Sequence, residues 1–338
     1  MSNLAESVLS GDRLSLARLL TRVENDTIDG REALDILFAH TGNAHLIGVT
    51  GAPGTGKSSL VNQIALAYRK LAKRVAIVAI DPSSPFTGGA VLGDRVRMRD
   101  LAGDQGVFIR SMASRGSLGG LAQATVGLVQ VFDAAGFDVI LIETVGAGQS
   151  EVDIARLAHT TLVVEAPGMG DEIQAIKAGI LEIADILVIN KADHSGVEST
   201  ERALRSMLDL AHPVQKVFQH HGQSIPTQIN LDNPEQINNN ARLWIPPIRR
   251  TVATNGTGLP ELISAIQDHA ATLHTSGEWI TREMARLSAE FDLCVLQTLM
   301  ERFRNRFPES ELEQVLDSIQ KRKFSPREAA NVLLKENE

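Results

Sequence analysis

Eight consecutive residues, Gly51-Ala52-Pro53-Gly54-Thr55-Gly56-Lys57-Ser58, constrain this chain more than any other stretch. They follow a short apolar run, Leu46 to Val49, and precede a helix-like segment opening near Ser59, so the local order is strand, glycine loop, helix. Gly51 and Gly56 let the backbone turn tightly and aim its N–H groups inward, which makes an anion cradle at a helix N-terminus. Lys57 supplies a point charge for β- and γ-phosphates, and the Ser58 hydroxyl is placed to ligate Mg²⁺. The run from Gly51 through Ser59 is therefore assigned to a nucleotide's phosphates.

Beyond the loop, short Val- and Ile-rich runs alternate with amphipathic segments: Leu46–Val49, Val75–Ile80, Val107–Ile109, Val139–Ile142, Thr161–Val164, Ile186–Ile189 and Ile248–Val252. This pattern predicts an α/β fold of the P-loop NTPase kind, a mostly parallel sheet covered by helices on both faces. Ligands of such sheets sit outside the C-terminal strand ends, so the residues after each strand carry the function.

After the second strand comes Asp81-Pro82, then Gly93-Asp94-Arg95. Asp81 falls beside the phosphate loop, where a carboxylate reaches Mg²⁺ directly or through its water; a helix cap or turn acid is the other reading. Asp94 sits on a loop whose place the spacing does not fix. After the fourth strand, Glu143-Thr144-Val145-Gly146 puts a carboxylate three residues before a glycine, the arrangement that senses a γ-phosphate. An Asp is the usual residue there, so Glu143 is a departure. Gln149 is either a water-orienting group or a polar turn residue. After the sixth strand, Asn190-Lys191-Ala192-Asp193 reads the base. A carboxylate accepts two hydrogen bonds from guanine N1–H and its 2-amino group, and adenine has no matching donor pair. GTP is thus favoured over ATP. The stretch around Val252, Ala253 and Thr254 occupies the place of a last loop lending N–H groups to the guanine O6.

The net charge of −8 argues against a generic nucleic-acid or anionic-membrane surface. No apolar run is long enough to cross a membrane, and the N-terminus lacks the order of a signal peptide, so a cytoplasmic protein is expected. The single cysteine, Cys294, excludes an internal disulfide and a cysteine-pair metal site; its helical apolar setting predicts a core thiol. His220 and His221 lie in a polar, Asn-rich stretch with no further ligand at metal spacing, which reads as a solvated loop.

Helical spacing of apolar residues over 4–40, broken at Gly11-Asp12 and from Asp26 to Gly30, predicts a small N-terminal helical layer. Residues 278–338 are amphipathic, with Ile280, Met284, Leu287, Phe291, Val295, Leu299 and Phe303 on one stripe. That stripe must be buried on the domain or on a second copy, and a homodimer is the favoured reading. The expected division is a helical layer at 1–42, a nucleotide domain at 43–272 and a helical dimerisation segment at 273–338. Ser325 is placed to cap a last helix with Pro326 at its first position.

The set GAPGTGKSS (51–59), AIDPSSP (79–85), GDRVRM (93–98), RSMASRGSLGG (110–120), ETVGAGQSE (143–151) and NKAD (190–193) closely resembles one family. It is that of the methylmalonyl-CoA mutase-associated GTPases of the MeaB/ArgK type, also labelled LAO/AO transport ATPases. The resemblance runs in order through most of residues 10 to 270. It implies a homodimeric, Mg²⁺-dependent GTPase that acts as a chaperone for an adenosylcobalamin-dependent acyl-CoA mutase, gating delivery of the cofactor and removal of damaged cofactor; the cobalamin belongs to the client. It also implies that Lys57 and Ser58 bind phosphate and Mg²⁺, that Asp81, Asp94 and Glu143 form the carboxylate shell, and that Asn190, Lys191 and Asp193 hold guanine. The loop with Asp171, Gln174 and Lys177 resembles the family's extra switch, and Lys177 is a candidate catalytic residue on that basis; spacing alone reads it as the polar start of a surface helix. Val252-Ala253-Thr254 departs from the family's usual Ser-Ala pair, and the segment after His220 is longer and more polar than usual.

Hydrolysis by this set is phosphoryl transfer to water, governed by positioning and charge neutralisation. Two other functions are compatible with parts of it. A metal-delivery GTPase would need a Cys/His cluster, which one cysteine makes hard to build. A kinase or ATPase energising amino-acid transport would not need the guanine selectivity of Asp193.

Overall fold

The computed structural model describes residues 2–82, 98–101, 103–114, 120–144, 150–168, 182–210, 219–220, 223–224 and 244–335. Three short helices come first, α1 (Ser2–Leu9), α2 (Arg13–Glu24) and α3 (Ile28–Leu37). The breaks between them are caps. The Asp12 carboxylate accepts from Ser15 N–H at 2.8 Å and the Thr27 hydroxyl from Gly30 N–H at 3.1 Å, satisfying amides that a helix start leaves open. Strands and helices then alternate: β1 (His45–Thr50), α4 (Lys57–Lys70), β2 (Val75–Pro82), β3 (Val107–Ser114), α5 (Gly120–Ala134), β4 (Val139–Thr144), α6 (Ser150–Leu157), β5 (Thr160–Glu165), β6 (Ile186–Ile189) and α7 (Val197–Leu210). A two-residue antiparallel pairing of β7 (Gln219–His220) with β8 (Gln223–Ser224) precedes β9 (Ile248–Arg250). His220 thus lies in a short hairpin rather than a plain loop, and His221 is outside the described residues. Helices α8 (Leu259–Ser276), α9 (Glu278–Arg306), α10 (Glu309–Gln320) and α11 (Pro326–Lys335) follow.

The sheet has seven strands in the order β3-β2-β4-β1-β5-β6-β9, and every pairing in it is parallel. The alternation read from the sequence therefore builds an α/β fold, and the strand order turns at β1, the strand that leads into the glycine loop. Successive residues face opposite sides. Ile47, Val49 and Leu141 pack with Leu60, Val61 and Ile64 of α4 and Leu262 and Ile266 of α8. On the other face Val78, Ile80, Ile140 and Ile142 pack with Phe132 of α5 and with Leu16, Leu19 and Leu20 of the N-terminal helices. Each such side chain fully buried stabilises by roughly 1.5–3 kcal/mol, so the helical layer is held by the same core as the sheet.

Residues Met1–Leu287 form one compact unit and Ser288–Glu338 a second, with α9 beginning in the first and continuing in the second. In the second unit Ser325 and Glu328 form a reciprocal cap at the start of α11: the Ser325 hydroxyl accepts from Glu328 N–H at 3.2 Å, and the Glu328 carboxylate accepts from Ser325 N–H at 2.8 Å. One expectation is corrected. Cys294 is exposed on α9 instead of lying in a core, because the described residues do not cover the apolar side of that helix; Phe291, Val295 and Leu299 are exposed there too.

The first unit also holds a polar cluster at the N-terminal ends of β1, β5 and β6. Asp185, immediately before β6, is buried and takes both guanidinium nitrogens of Arg282 at 3.0 Å. Arg282 also donates to the His159 carbonyl at 2.6 Å. His159 Nε2 meets Glu283 at 3.1 Å, and the Trp279 ring is stacked between the rings of His159 and His274 at 3.8 and 4.1 Å. His45 Nε2 and His269 Nδ1 both bond the Thr160 hydroxyl, at 2.8 and 2.9 Å. Burial, followed by the neighbouring His159, His269 and His274, pushes the His45 pKa down to about 3. Burial of Glu283 opposes ionisation, but hydrogen bonds from His159 and Arg286 outweigh it and bring its carboxyl to about 2.

These groups give a signed pH dependence. Above the ordinary histidine pKa of 6.5, His45 is neutral in both folded and unfolded chains and contributes no pH slope. Below it the unfolded chain takes a proton that the folded one refuses until about 3, so stability falls by up to ~1.4 kcal/mol per pH unit across that window. Denaturant unfolding at about pH 7.5 and about pH 5.5 should show the loss in the wild type and a smaller one in His45→Leu; equal slopes would mean that His45 does not stay neutral in the fold.

Candidate nucleotide site

The glycine loop hangs between the end of β1 and the first turn of α4, and its shape is set by contacts that no side chain would allow. Gly51 has φ +136°, and a Cβ there would lie 2.0 Å from the Val164 carbonyl oxygen of β5. Gly56 has φ +89°, and its Cβ would meet the Asn190 amide nitrogen at 2.5 Å. Both positions therefore require glycine on two counts, conformation and space.

Lys57 is buried, with Nζ 2.8 Å from the Gly51 carbonyl and 2.9 Å from that of Ala52. The ammonium is thus held inside the cradle by the loop's own dipoles. Thr55 closes the loop by donating its hydroxyl to the Ala52 carbonyl at 2.9 Å. Ser58, one residue into α4, donates its hydroxyl to Glu143 Oε1 at 2.6 Å. Glu143 is buried at the penultimate position of β4, opposite Val49 of β1 and Ala79 of β2. A hydroxyl and a carboxylate on neighbouring elements form a hard-oxygen pair, which fits Mg²⁺ and not a thiolate- or imidazole-seeking ion.

Asp81 is placed by its backbone at the same rim, paired with Ala113 of β3 one residue after the Ile80–Thr144 pair. Asp94, Gln149, Asp171, Gln174 and Lys177 lie outside the described residues, as do the glycines at 88, 89 and 146.

On the other side of the loop, Asn190 follows β6 and joins three segments. Its Nδ2 donates to the Thr55 carbonyl at 2.8 Å, and its Oδ1 accepts from the Thr251 hydroxyl at 3.2 Å and the Ala253 N–H at 3.1 Å. Its backbone N–H donates to the Glu165 carbonyl at 2.8 Å. Lys191, at φ +56°, reaches back to the Gly54 carbonyl at 2.8 Å. Asp193 is exposed two residues on. Val252 N–H donates to the Thr257 carbonyl at 2.9 Å, and this turn, with Ala253 tied to Asn190, sets Thr254 at an exposed tip. The structure thus gathers Gly51 to Ser58, Glu143, Asn190, Lys191 and the Val252 turn at the C-terminal strand ends. Thr251 opens the stretch that the sequence places beside the base; its side-chain bond to Asn190 was not read from sequence, because only the pairing of β6 with β9 brings it into place.

The chain matches the family model described as "Methylmalonyl Co-A mutase-associated GTPase MeaB" over residues 16–307. A protein of Pyrococcus abyssi whose name includes GTPase is 42% identical over 336 residues, covering 99% of this chain and 96% of that protein. The GTPase ArgK of Escherichia coli is 32% identical over 352 residues, covering 96% and 98%. A solved structure described as a LAO/AO transport system kinase superposes with a TM-score of 0.66 at 25% identity, covering 99% of this chain and 96% of that one.

The Asn190 node yields a prediction. Gly56→Ala forces a Cβ against the Asn190 amide at an unfavourable φ, so it should displace that amide and cost nucleotide affinity well over tenfold, ~1.4 kcal/mol or more. Titration with a fluorescent GDP measures this. Wild-type affinity in the variant would show that the loop does not depend on the Asn190 contact.

Proposed function

The chain belongs to the methylmalonyl-CoA mutase-associated GTPase family and hydrolyses GTP, and from that premise we propose that it is a Mg²⁺-dependent, cytoplasmic switch protein serving an adenosylcobalamin-dependent acyl-CoA mutase. In this reading it gates loading of the client's cofactor and its protection or reactivation. The mutase link is supported by the family's description. The observation that carries the switch reading is the Ser58–Glu143 hydrogen bond, which joins the first turn of α4, directly after the phosphate loop, to the penultimate residue of the strand leading to Gly146.

The residues then act as follows. When GTP enters, Lys57 exchanges the Gly51 and Ala52 carbonyls for β- and γ-phosphate oxygens, a swap of dipoles for full charges. Ser58 and Glu143, with Asp81 and Asp94 as further carboxylates, would hold Mg²⁺. Mg²⁺ held there would neutralise charge developing on the β- and γ-phosphate oxygens. Asp193 selects guanine, while Asn190 and Lys191 fix the loops around it, and the turn at Val252, Ala253 and Thr254 closes over O6. Lys177, in the segment of Asp171 and Gln174, relays nucleotide state to the client. No strong general base is needed, because positioning and electrostatics dominate phosphoryl transfer.

The proposed assembly is a homodimer, with residues 273–338 as its dimerisation segment beside the 43–272 GTPase domain and the 1–42 helical layer. The exposed apolar side of α9, with Ile280, Met284, Phe291, Val295 and Leu299, supports a second copy as its cover. No helix among the described residues is long and apolar enough to cross a membrane.

The test is the hydrolysis rate with GTP and with ATP, alone and with a cobalamin-dependent acyl-CoA mutase of the same organism. A rise in GTP turnover of about tenfold or more, ~1.4 kcal/mol of barrier, with ATP inert, is expected. Turnover indifferent to the mutase would remove the chaperone reading, and equal use of ATP would remove the base assignment.

A further inference from the structure

A buried contact between two hydroxyls marks the strand ends on the face opposite Glu143. Thr144, the last residue of β4, donates its hydroxyl to that of Thr50, the last residue of β1, at 3.1 Å. Both side chains are buried, at 1% and 0% exposure. In the sheet they are flanked by apolar neighbours: Ile80 pairs with Thr144 on one side, and Val163 pairs with Thr50 on the other. Gly48 and Ile142, two residues earlier on the same face, belong to the packing against α6; a Cβ on Gly48 would strike Ile154 at 2.4 Å. The threonine pair is therefore where this face changes from hydrocarbon to polar, directly before both chain segments leave the sheet.

Such a contact adds little to fold stability. Replacing both partners of a buried hydrogen bond by apolar groups of the same shape is close to neutral, whereas removing one strands the other. Two valines would fill the same space and suit the strands better. What the hydroxyls supply is a fixed lateral register at one point. Thr50 is the residue before Gly51, where the phosphate loop begins. Thr144 is the residue after Glu143, whose carboxylate holds Ser58 from the α4 face. The outgoing end of β4 is thus tied on both faces, to α4 by Ser58–Glu143 on one and to β1 by Thr50–Thr144 on the other.

We infer that Thr50 and Thr144 are positioning residues for GTP hydrolysis: their hydroxyl tie holds the end of β4 in register with the phosphate-loop strand, and so keeps Glu143 aligned with Ser58. This rests on the proposed role of Glu143 and Ser58 as the Mg²⁺-holding pair. Both hydroxyls are buried and bonded to each other, so loss of the tie acts on the rate and on Mg²⁺ dependence more than on GTP binding. Misplacement of a catalytic group by about 1 Å costs on the order of a hundredfold, and a partial loss of register should cost about tenfold.

The experiment compares the full-length wild type with Thr50→Val, Thr144→Val, the double valine variant, Thr144→Ser and Glu143→Gln, recording kcat, KM for GTP, half-saturating Mg²⁺ and the thermal midpoint. The expected result is that each valine single lowers kcat about tenfold and raises half-saturating Mg²⁺, with KM within about twofold. The double should be no slower than the slower single, because the pair acts as one unit, and Thr144→Ser should keep the wild-type rate. The double also guards against instability, since it leaves no stranded hydroxyl and should melt near the wild type even where a single does not. Valine singles with wild-type kcat, or a double whose loss is the product of the two singles, would overturn the inference. Glu143→Gln at wild-type rate would instead overturn the assignment of Glu143; a slow Glu143→Gln beside unaffected threonine variants would sink the tie alone.

Discussion

The site depends on how one side-chain amide is used. Asn190 has a donor group and an acceptor, and the fold assigns each to a different segment: Nδ2 to the phosphate loop at Thr55, Oδ1 to Thr251 and Ala253. A buried amide unpaired in either direction would cost about 1–3 kcal/mol, so the loop and the turn are both held where Asn190 can reach them. Gly56 is glycine because Asn190 occupies the space its Cβ would need. The glycine loop and the Asn190–Ala253 segments, separated by more than a hundred residues in sequence, are in this way a single packed object.

Much of this was legible in the chain. Val and Ile runs alternating with amphipathic segments read as strands buried on both faces, which implies parallel pairing. The breaks at Gly11-Asp12 and from Asp26 to Gly30 showed where the N-terminal helices divide, though not that Asp12 and Thr27 cap them. The phosphate loop and Asn190-Lys191 were readable because their chemistry is local: backbone N–H groups, a lysine and an amide at fixed offsets from strand ends. Contacts that depend on strand order were not readable. Nothing in the spacing of Thr50 and Thr144, or of Ser58 and Glu143, says that β4 lies beside β1, and both contacts follow from that adjacency alone. Cys294 failed for a related reason. Helical apolar periodicity shows which side of α9 is oily, but not whether the same chain covers it.

The sheet also has a second polar end. Asp185 opens β6 and Asn190 closes it, so the buried Asp185–Arg282 pair and the nucleotide node are the two termini of one strand, roughly 16 Å apart at the usual rise. At one terminus buried ions are paired to fasten the start of α9. At the other, dipoles and a lysine are held ready for an anion. The apolar strand between them, Ile186 to Ile189, keeps the two electrostatic environments apart.

The aromatic inventory of that lower end has an optical consequence. The chain has two tryptophans, and both belong there: Trp244 donates its indole N–H to the Asp185 carbonyl at 2.8 Å, and Trp279 is sandwiched between two imidazoles. Tryptophan emission from this molecule therefore originates about a strand length from the glycine loop, and stacked imidazoles quench indole increasingly as they gain protons. A change in that emission therefore reports on the start of β6 and the foot of α9, which makes the native chromophores a gauge of that end of the sheet.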